Sequence, residues 1–368
     1  MKIAIIGTRG IPNHYGGFEQ FAEYLSLGLV ERGHEITVYN SDKHPYQEKS
    51  WNGVEIIHCY DPEDKLGTVG QFIYDFNCIL DTRKKNFDII LQLGYTSSSV
   101  WGWMLPRKKS IVTTNMDGLE WMRSKFSPKV REFLKYAERL GTKYSDYLIS
   151  DSIGIQAHLQ KTYQKNSLFI PYGAHLFLNP NEEFLADYGV SPYYYNMLVA
   201  RLEPENSIEV ILDGVLSSND QKPFLVIGKH QTTFGDYLKS KFSDDNRIKF
   251  IGGVYNIEVL NNLRYFSNLY FHGHTVGGTN PSLLEAMASQ SLIVANRNIF
   301  NESILGSDAY YFENFKDISI ILDRNNKEGG LDKIKNNEEK IRNCYSWPII
   351  INQYEAHFLD ILKASKLC

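Results

Sequence analysis

The sequence predicts an α/β protein of two consecutive domains, each a parallel sheet with helices, on three observations. Apolar strand-like runs alternate with helical periodicity from the first residues onward. The alternation breaks in a stretch rich in proline and glycine, then restarts near residue 196. Glycine-rich turns follow directly after strands in both halves. The length of 368 residues exceeds one ordinary core and suits two.

The elements follow in order. Lys2 to Gly7 is an apolar strand, and Phe18, Phe21, Ala22, Leu25 and Leu29 recur at helical spacing up to a stop at Gly33. Glu35–Asn40 is the next strand, so the opening is a βαβ unit and implies parallel pairing. Val54–His58, Asp88–Leu93, Ser110–Thr114, Tyr147–Ser150 and Ser167–Ile170 read as further buried strands. In the second half the strands are Asn196–Ala200, Phe224–Gly228, Ile248–Ile251, Leu269–His272 and Leu292–Ala295. Trp347, Ile350, Tyr354, Phe358 and Ile361 predict a closing amphipathic helix. The expected divisions are a first domain over 1–172, a linker over 173–195, a second domain over 196–345 and the closing segment 346–368.

Composition narrows the class. Hydrophobic residues at 43% and charged residues at 22% describe a globular chain, and a net charge of −4 argues against broad nucleic-acid binding. No run approaches bilayer-spanning length, and the N-terminus enters a strand with no signal-peptide pattern, so the expected location is cytoplasmic. Cys59, Cys78, Cys344 and Cys368 lack metal-ligand spacing and read as reduced structural thiols.

Three loops carry the chemistry. The first, Gly7 to Glu19, joins strand to helix with Gly16 and Gly17 at the helix start, where backbone can approach a phosphate. It is neither a dinucleotide fingerprint nor a P-loop, and packing alone would also explain its glycines. The second, His272 to Met287, ends a strand, turns through Gly277 and Gly278, and opens a helix with Asn280 as N-cap and Pro281 at its first position. Amides from Gly278 through Thr279 and Asn280 to Ser282 would face a diphosphate, and Glu285 one turn in could accept from ribose hydroxyls. His272 and His274 share a face of their strand, too weak a pair to claim a metal. The third is Arg201, at a strand's carboxyl end, where a guanidinium could clamp a phosphate or make a surface ion pair.

Together GTRGIPNHYGGFE (7–19), NMDGLEWMRSKF (115–126), ARLEPEN (200–206) and HGHTVGGTNPSLLEAM (272–287) resemble the retaining glycosyltransferases of family 4, more narrowly their rhamnosyltransferase branch. The resemblance covers essentially the whole chain. It implies the GT-B fold: two Rossmann-like domains facing a cleft between them, the closing helix returning to the first. It implies that Gly16 and Gly17 approach donor phosphates, Arg201 neutralises the diphosphate, Glu285 holds the ribose, and Val254 and Tyr255 border the base. It implies transfer of L-rhamnose from dTDP-β-L-rhamnose, with retention, onto a saccharide acceptor, lipid-linked through a polyprenyl diphosphate, with no metal or other cofactor. Another UDP-, GDP- or dTDP-sugar, or a nucleotide-sugar epimerase, is the alternative reading.

Two departures mark this chain. The wider family pairs glutamates eight residues apart, and here Gly277 stands at the first position. It also carries a lysine five residues after its arginine, and here that residue is Asn206. Lys229 is the candidate for the second positive charge, a solvated surface lysine reading equally well. Asp117 and Glu120 are candidates for gripping acceptor or sugar hydroxyls, although an Asp before Gly also forms turns. Arg9, Tyr15, Trp121 and Arg123 complete the expected acceptor side. Residues 101–145 hold ten Lys or Arg against four acids, with Trp101, Trp103, Trp121 and Phe126 interleaved. That composition suits peripheral contact with an anionic membrane face as well as it suits a solvated helix.

Overall fold

The computed structural model describes residues 1–14, 16–116, 118–123 and 125–366. The chain divides into two units: Met1–Trp121, Pro128–Tyr172 and Trp347–Cys368 form one, and Met122–Ser127 with Gly173–Ser346 form the other.

The first unit holds an eight-stranded sheet. Its strands are β1 (Lys2–Ile6), β2 (Glu35–Ser41), β3 (Ser50–Trp51), β4 (Val54–Cys59), β5 (Ile89–Leu93), β6 (Ile111–Asn115), β7 (Tyr147–Ser150) and β8 (Leu168–Phe169). They lie in the order β3-β4-β2-β1-β5-β6-β7-β8, parallel throughout except for β3. Ile3, Ala4, Ile5, Ile89, Ile90 and Leu91 are fully buried, as a sheet covered on both faces requires. One core cluster gathers Ala4, Ile6, Tyr39, Ile79, Ile90 and Val112 around Cys59 and Cys78, both free thiols.

The helix Trp347–Lys366 packs in this unit against the helix Gly17–Val30. Trp347, Ile350, Tyr354, Phe358 and Ile361, the expected apolar stripe, are all buried. Gly28 makes the approach close: a Cβ there would sit 2.3 Å from Ile351 Cδ1. Glu355 receives Arg32 at 3.1 Å and His34 at 2.7 Å, and Asn115 donates to the Tyr354 hydroxyl at 3.1 Å.

The second unit holds β9 (Asn196–Val199), β10 (Phe224–Ile227), β11 (Ile248–Gly252), β12 (Tyr270–His272), β13 (Ile293–Asn296) and β14 (Tyr310–Phe312). The order is β11-β10-β9-β12-β13-β14, all parallel. Counted from its own first strand this is the 3-2-1-4-5-6 winding of a Rossmann sheet. Its core joins Leu198, Ile211, Phe224, Val226, Phe271, Val294 and Phe312. The stretch 173–195 is tied to this unit: Ala174 N–H donates to Tyr345, Phe177 to Ala288 and Tyr193 to Phe266. It also carries a short 3-10 helix, Glu182–Tyr188.

Two strands go beyond the sequence reading. β3 is a two-residue partner folded back on β4 through Asn52 and Gly53, both with positive φ, and β14 is three residues between a glycine turn and a helix. Both are too short to show a period.

Candidate functional site

In a doubly wound sheet, ligands bind beyond the carboxyl ends of the strands where the order reverses. In the second unit that point lies between β9 and β12. Arg201 follows β9, and the turn 273–280 follows β12. Glycines bring these loops together. A Cβ on Gly228 would meet the Ala200 carbonyl at 1.9 Å, and one on Gly273 the Asn206 carbonyl at 2.1 Å. Thr275 donates both its N–H (3.1 Å) and its hydroxyl (2.9 Å) to the Glu205 carbonyl.

Asn206 has a structural task here. It is buried, and its amide donates to the Arg201 carbonyl at 2.6 Å, fixing the turn that presents the arginine. A lysine would lose that bond. Arg201 itself is exposed.

The helix Pro281–Ala288 begins where expected, and Asn280 Oδ1 accepts the Ser282 N–H at 2.9 Å. This corrects one expectation. Pro281 has no N–H to offer, the Ser282 amide is engaged by its cap, and the Ser282 hydroxyl bonds Tyr270 and Arg264. Ser282 therefore builds the site rather than facing a phosphate. At Gly277, with φ at +146°, the space a side chain would fill is open.

Glu285 is held by a residue that sequence reasoning missed. Arg264, 1% exposed, places Nη2 2.8 Å from Glu285 Oε2, while Glu285 keeps 19% exposure. The same guanidinium donates to Ser282 Oγ and to Asn261 Oδ1, each at 3.0 Å, and lies 6.0 Å from the Tyr270 ring. A buried arginine needs an anionic partner. Its position in the last turn of Ile257–Tyr265 reads in sequence as ordinary helix-end charge, so only the fold reveals the pair.

Beside β11, Tyr255 is 87% exposed, Val254 is half-buried, and a Cβ on Gly253 would lie 2.8 Å from the Tyr255 ring. Lys229 is exposed just past β10. His272 and His274 stack face to face, ring centroids 4.4 Å apart. Among the described residues no group of three or more His, Cys, Asp or Glu could hold a metal ion.

In the first unit, the loop after β1 divides its glycines by task. Gly7 and Gly10 have positive φ and abut Leu93 and Asn40, so packing accounts for both. Gly16 and Gly17 start a helix that no side chain caps. Glu19 is buried under the loop, accepting from Thr8 Oγ1 (3.2 Å) and the Arg9 N–H (2.9 Å). Arg9, expected on the acceptor side, is bidentate to Glu63 at 2.8 and 3.0 Å. Nearby Asp75 is buried, bonded to Ser97 Oγ at 2.5 Å, and burial pushes its pKa up to about 7.

Trp121 donates to Glu138 at 3.1 Å, and that buried carboxylate also accepts from Tyr95, His158 and Tyr163. Glu120 is half-buried. Arg123, expected on the acceptor side, groups with the second unit and lies 3.9 Å from Glu205. Tyr15 and Asp117 lie outside the described residues. On the basic stretch, Val130, Phe133 and Tyr136 are exposed along the helix Pro128–Tyr144, with Trp103 64% exposed nearby in sequence.

Residues 1–175 match the family described as Domain of unknown function (DUF1972). No curated protein matches the chain. Among solved structures, sucrose-phosphate synthase (tll1590) from Thermosynechococcus elongatus is similar at a TM-score of 0.81 and 17% identity, over 98% of this chain and 99% of that one. Anabaena Alr3699/HepE, in complex with UDP and glucose, reaches 0.76 at 14% identity, over 97% and 98%. The α,α-trehalose 6-phosphate synthase from Burkholderia multivorans reaches 0.71 at 10% identity, over 99% of each. At these identities the likeness establishes architecture, and the chain has the GT-B fold.

Proposed function

We propose that the protein is a glycosyltransferase taking a sugar from a nucleoside diphosphate. The observation that carries this is the switch point of the second sheet. Arg201 on one strand end and the Gly277–Asn280 turn on the next converge there, and Arg264 holds Glu285 one helical turn beyond. That set matches a diphosphate with a ribose attached. HepE has been crystallised with UDP and glucose and with UDP-glucose, which supports a nucleotide-sugar donor.

In the reaction, the bond from the anomeric carbon to the diphosphate oxygen breaks and a bond to the acceptor oxygen forms. The acceptor proton passes to the leaving phosphate on the same face, so configuration is retained. Arg201 and the turn amides stabilise the charge that grows on the diphosphate. We assign L-rhamnose from dTDP-β-L-rhamnose as the donor on the residues quoted above, and a lipid-linked saccharide as acceptor. With a 2′-deoxynucleotide, Glu285 meets one sugar hydroxyl instead of two. The exposed Val130, Phe133 and Tyr136 among lysines support contact with an anionic membrane. No helix among the described residues is long and apolar enough to cross one.

The test is a thermal-shift panel of dTDP-, UDP- and GDP-sugars, followed by transfer assays with the stabilising donor. Stabilisation by dTDP-rhamnose and its acceptor-dependent consumption are expected; consumption without acceptor would indicate an epimerase instead. Salt-sensitive flotation with anionic liposomes is the expected membrane result, and its absence removes that part.

A further inference from the structure

Tyr270, His272 and His274 alternate along the end of β12 and so share one face. The first carries the hydroxyl that bonds Ser282. Both ring nitrogens of His272 and Nδ1 of His274 are buried without a hydrogen-bond partner. Buried polar groups are rarely left without a partner, so a ligand contact at this point has a reason to exist.

The position of His274 is firmly set. Its neighbours are clamped: Gly273 against the Asn206 carbonyl, and Thr275 by two bonds to Glu205. β12 pairs with β9 in the register Phe271↔Leu198, so residue 274 falls alongside Arg201 just past the strand ends. The ring packs on His272 with 15° between planes, and His274 is only partly buried, unlike His272. We propose that His274 is a diphosphate-binding residue, donating a ring N–H to a phosphate oxygen beside Arg201.

This rests on the nucleotide-diphosphate reading above and adds a residue to it. Burial first, then the charges of Arg201 and Arg123, lower the His274 pKa to about 3. The ring is therefore neutral at working pH, one nitrogen carrying hydrogen. It contributes a directed donor without adding a third cation to an already positive site.

Calorimetric titration with UDP, dTDP and GDP, and with the matching monophosphates, tests it. In His274→Phe, which keeps an aromatic face against His272, the best diphosphate should bind roughly 10- to 100-fold more weakly. The monophosphate should change by less than about threefold, and the melting temperature should stay near wild type. His274→Asn and His274→Gln place an N–H near one or the other ring nitrogen, and one of them should recover part of the loss. Diphosphate affinity unchanged in the Phe variant, or equal losses for mono- and diphosphate in all three variants, overturns the proposal. So does a wild-type protein that binds no diphosphate. A wild-type protein that binds diphosphate through His274 yet transfers no sugar contradicts the glycosyltransferase reading and upholds this one.

Discussion

Glu285 shows how a single side chain is aimed. Its Oε2 lies against a fully buried guanidinium and the side chain keeps 19% exposure, so it has little freedom to swing. Breaking that pair from the arginine side strands a half-buried charge, which typically costs about 3–5 kcal/mol. Arg264→Met should therefore lower the urea midpoint strongly. Arg264→Lys, which keeps charge but loses the fork to Ser282 and Asn261, should fold better and still bind nucleotide more weakly than wild type. Equal nucleotide affinity in the Lys variant would show that the fork does not aim Glu285. The positions of Arg201 at a strand's carboxyl end and of Glu285 one turn into a helix were legible in the sequence. Arg264 was not, since its partner comes from another helix.

Asp75 gives the same scale a pH signature. Its folded-state pKa, about 7, stands above the usual carboxyl value, so the folded protein holds this proton more tightly than the unfolded chain. The contribution to stability is complete below about pH 4 and is lost as pH rises through about 7. Asp75→Asn removes that dependence. Measured against wild type, its unfolding free energy should gain between pH 5 and pH 8; a constant difference would mean that Asp75 ionises normally.

Among elements, the helix Pro281–Ala288 was read correctly at its start because cap and proline are local signals. The same locality misled the assignment of Ser282, whose amide goes to Asn280 and whose hydroxyl goes to Tyr270 and Arg264. Long apolar strands were likewise visible, whereas β3 and β14 owe their existence to a neighbour already in place. Asn280→Ala should cost about 1 kcal/mol of stability and weaken diphosphate binding, because the cap also fixes the end of the glycine turn. A variant that loses stability but binds diphosphate as before would separate the cap from the site. The closing helix was predicted from its stripe alone, and Gly28 explains why it can dock so closely.

For the molecule as a whole, the restart of the alternation near residue 196 made two α/β units legible, and the strand order of the second gives the switch point its chemistry. The acceptor side was less legible. Arg9, Trp121 and Arg123 look available in sequence, yet each is engaged within the protein by Glu63, Glu138 or Glu205. Charge and aromatic content in a line of sequence do not say which groups the fold has already paired. The central claim is sugar transfer from a nucleoside diphosphate at the β9–β12 switch point. It is tested most directly by measuring nucleoside diphosphate released from the donor that stabilises the protein, with and without a lipid-linked saccharide fraction, in wild type and Arg201→Ala. Release should depend on acceptor, accompany a new glycosidic product, and fall at least about 100-fold in the variant. Wild-type turnover by Arg201→Ala, or donor conversion that needs no acceptor, would contradict it.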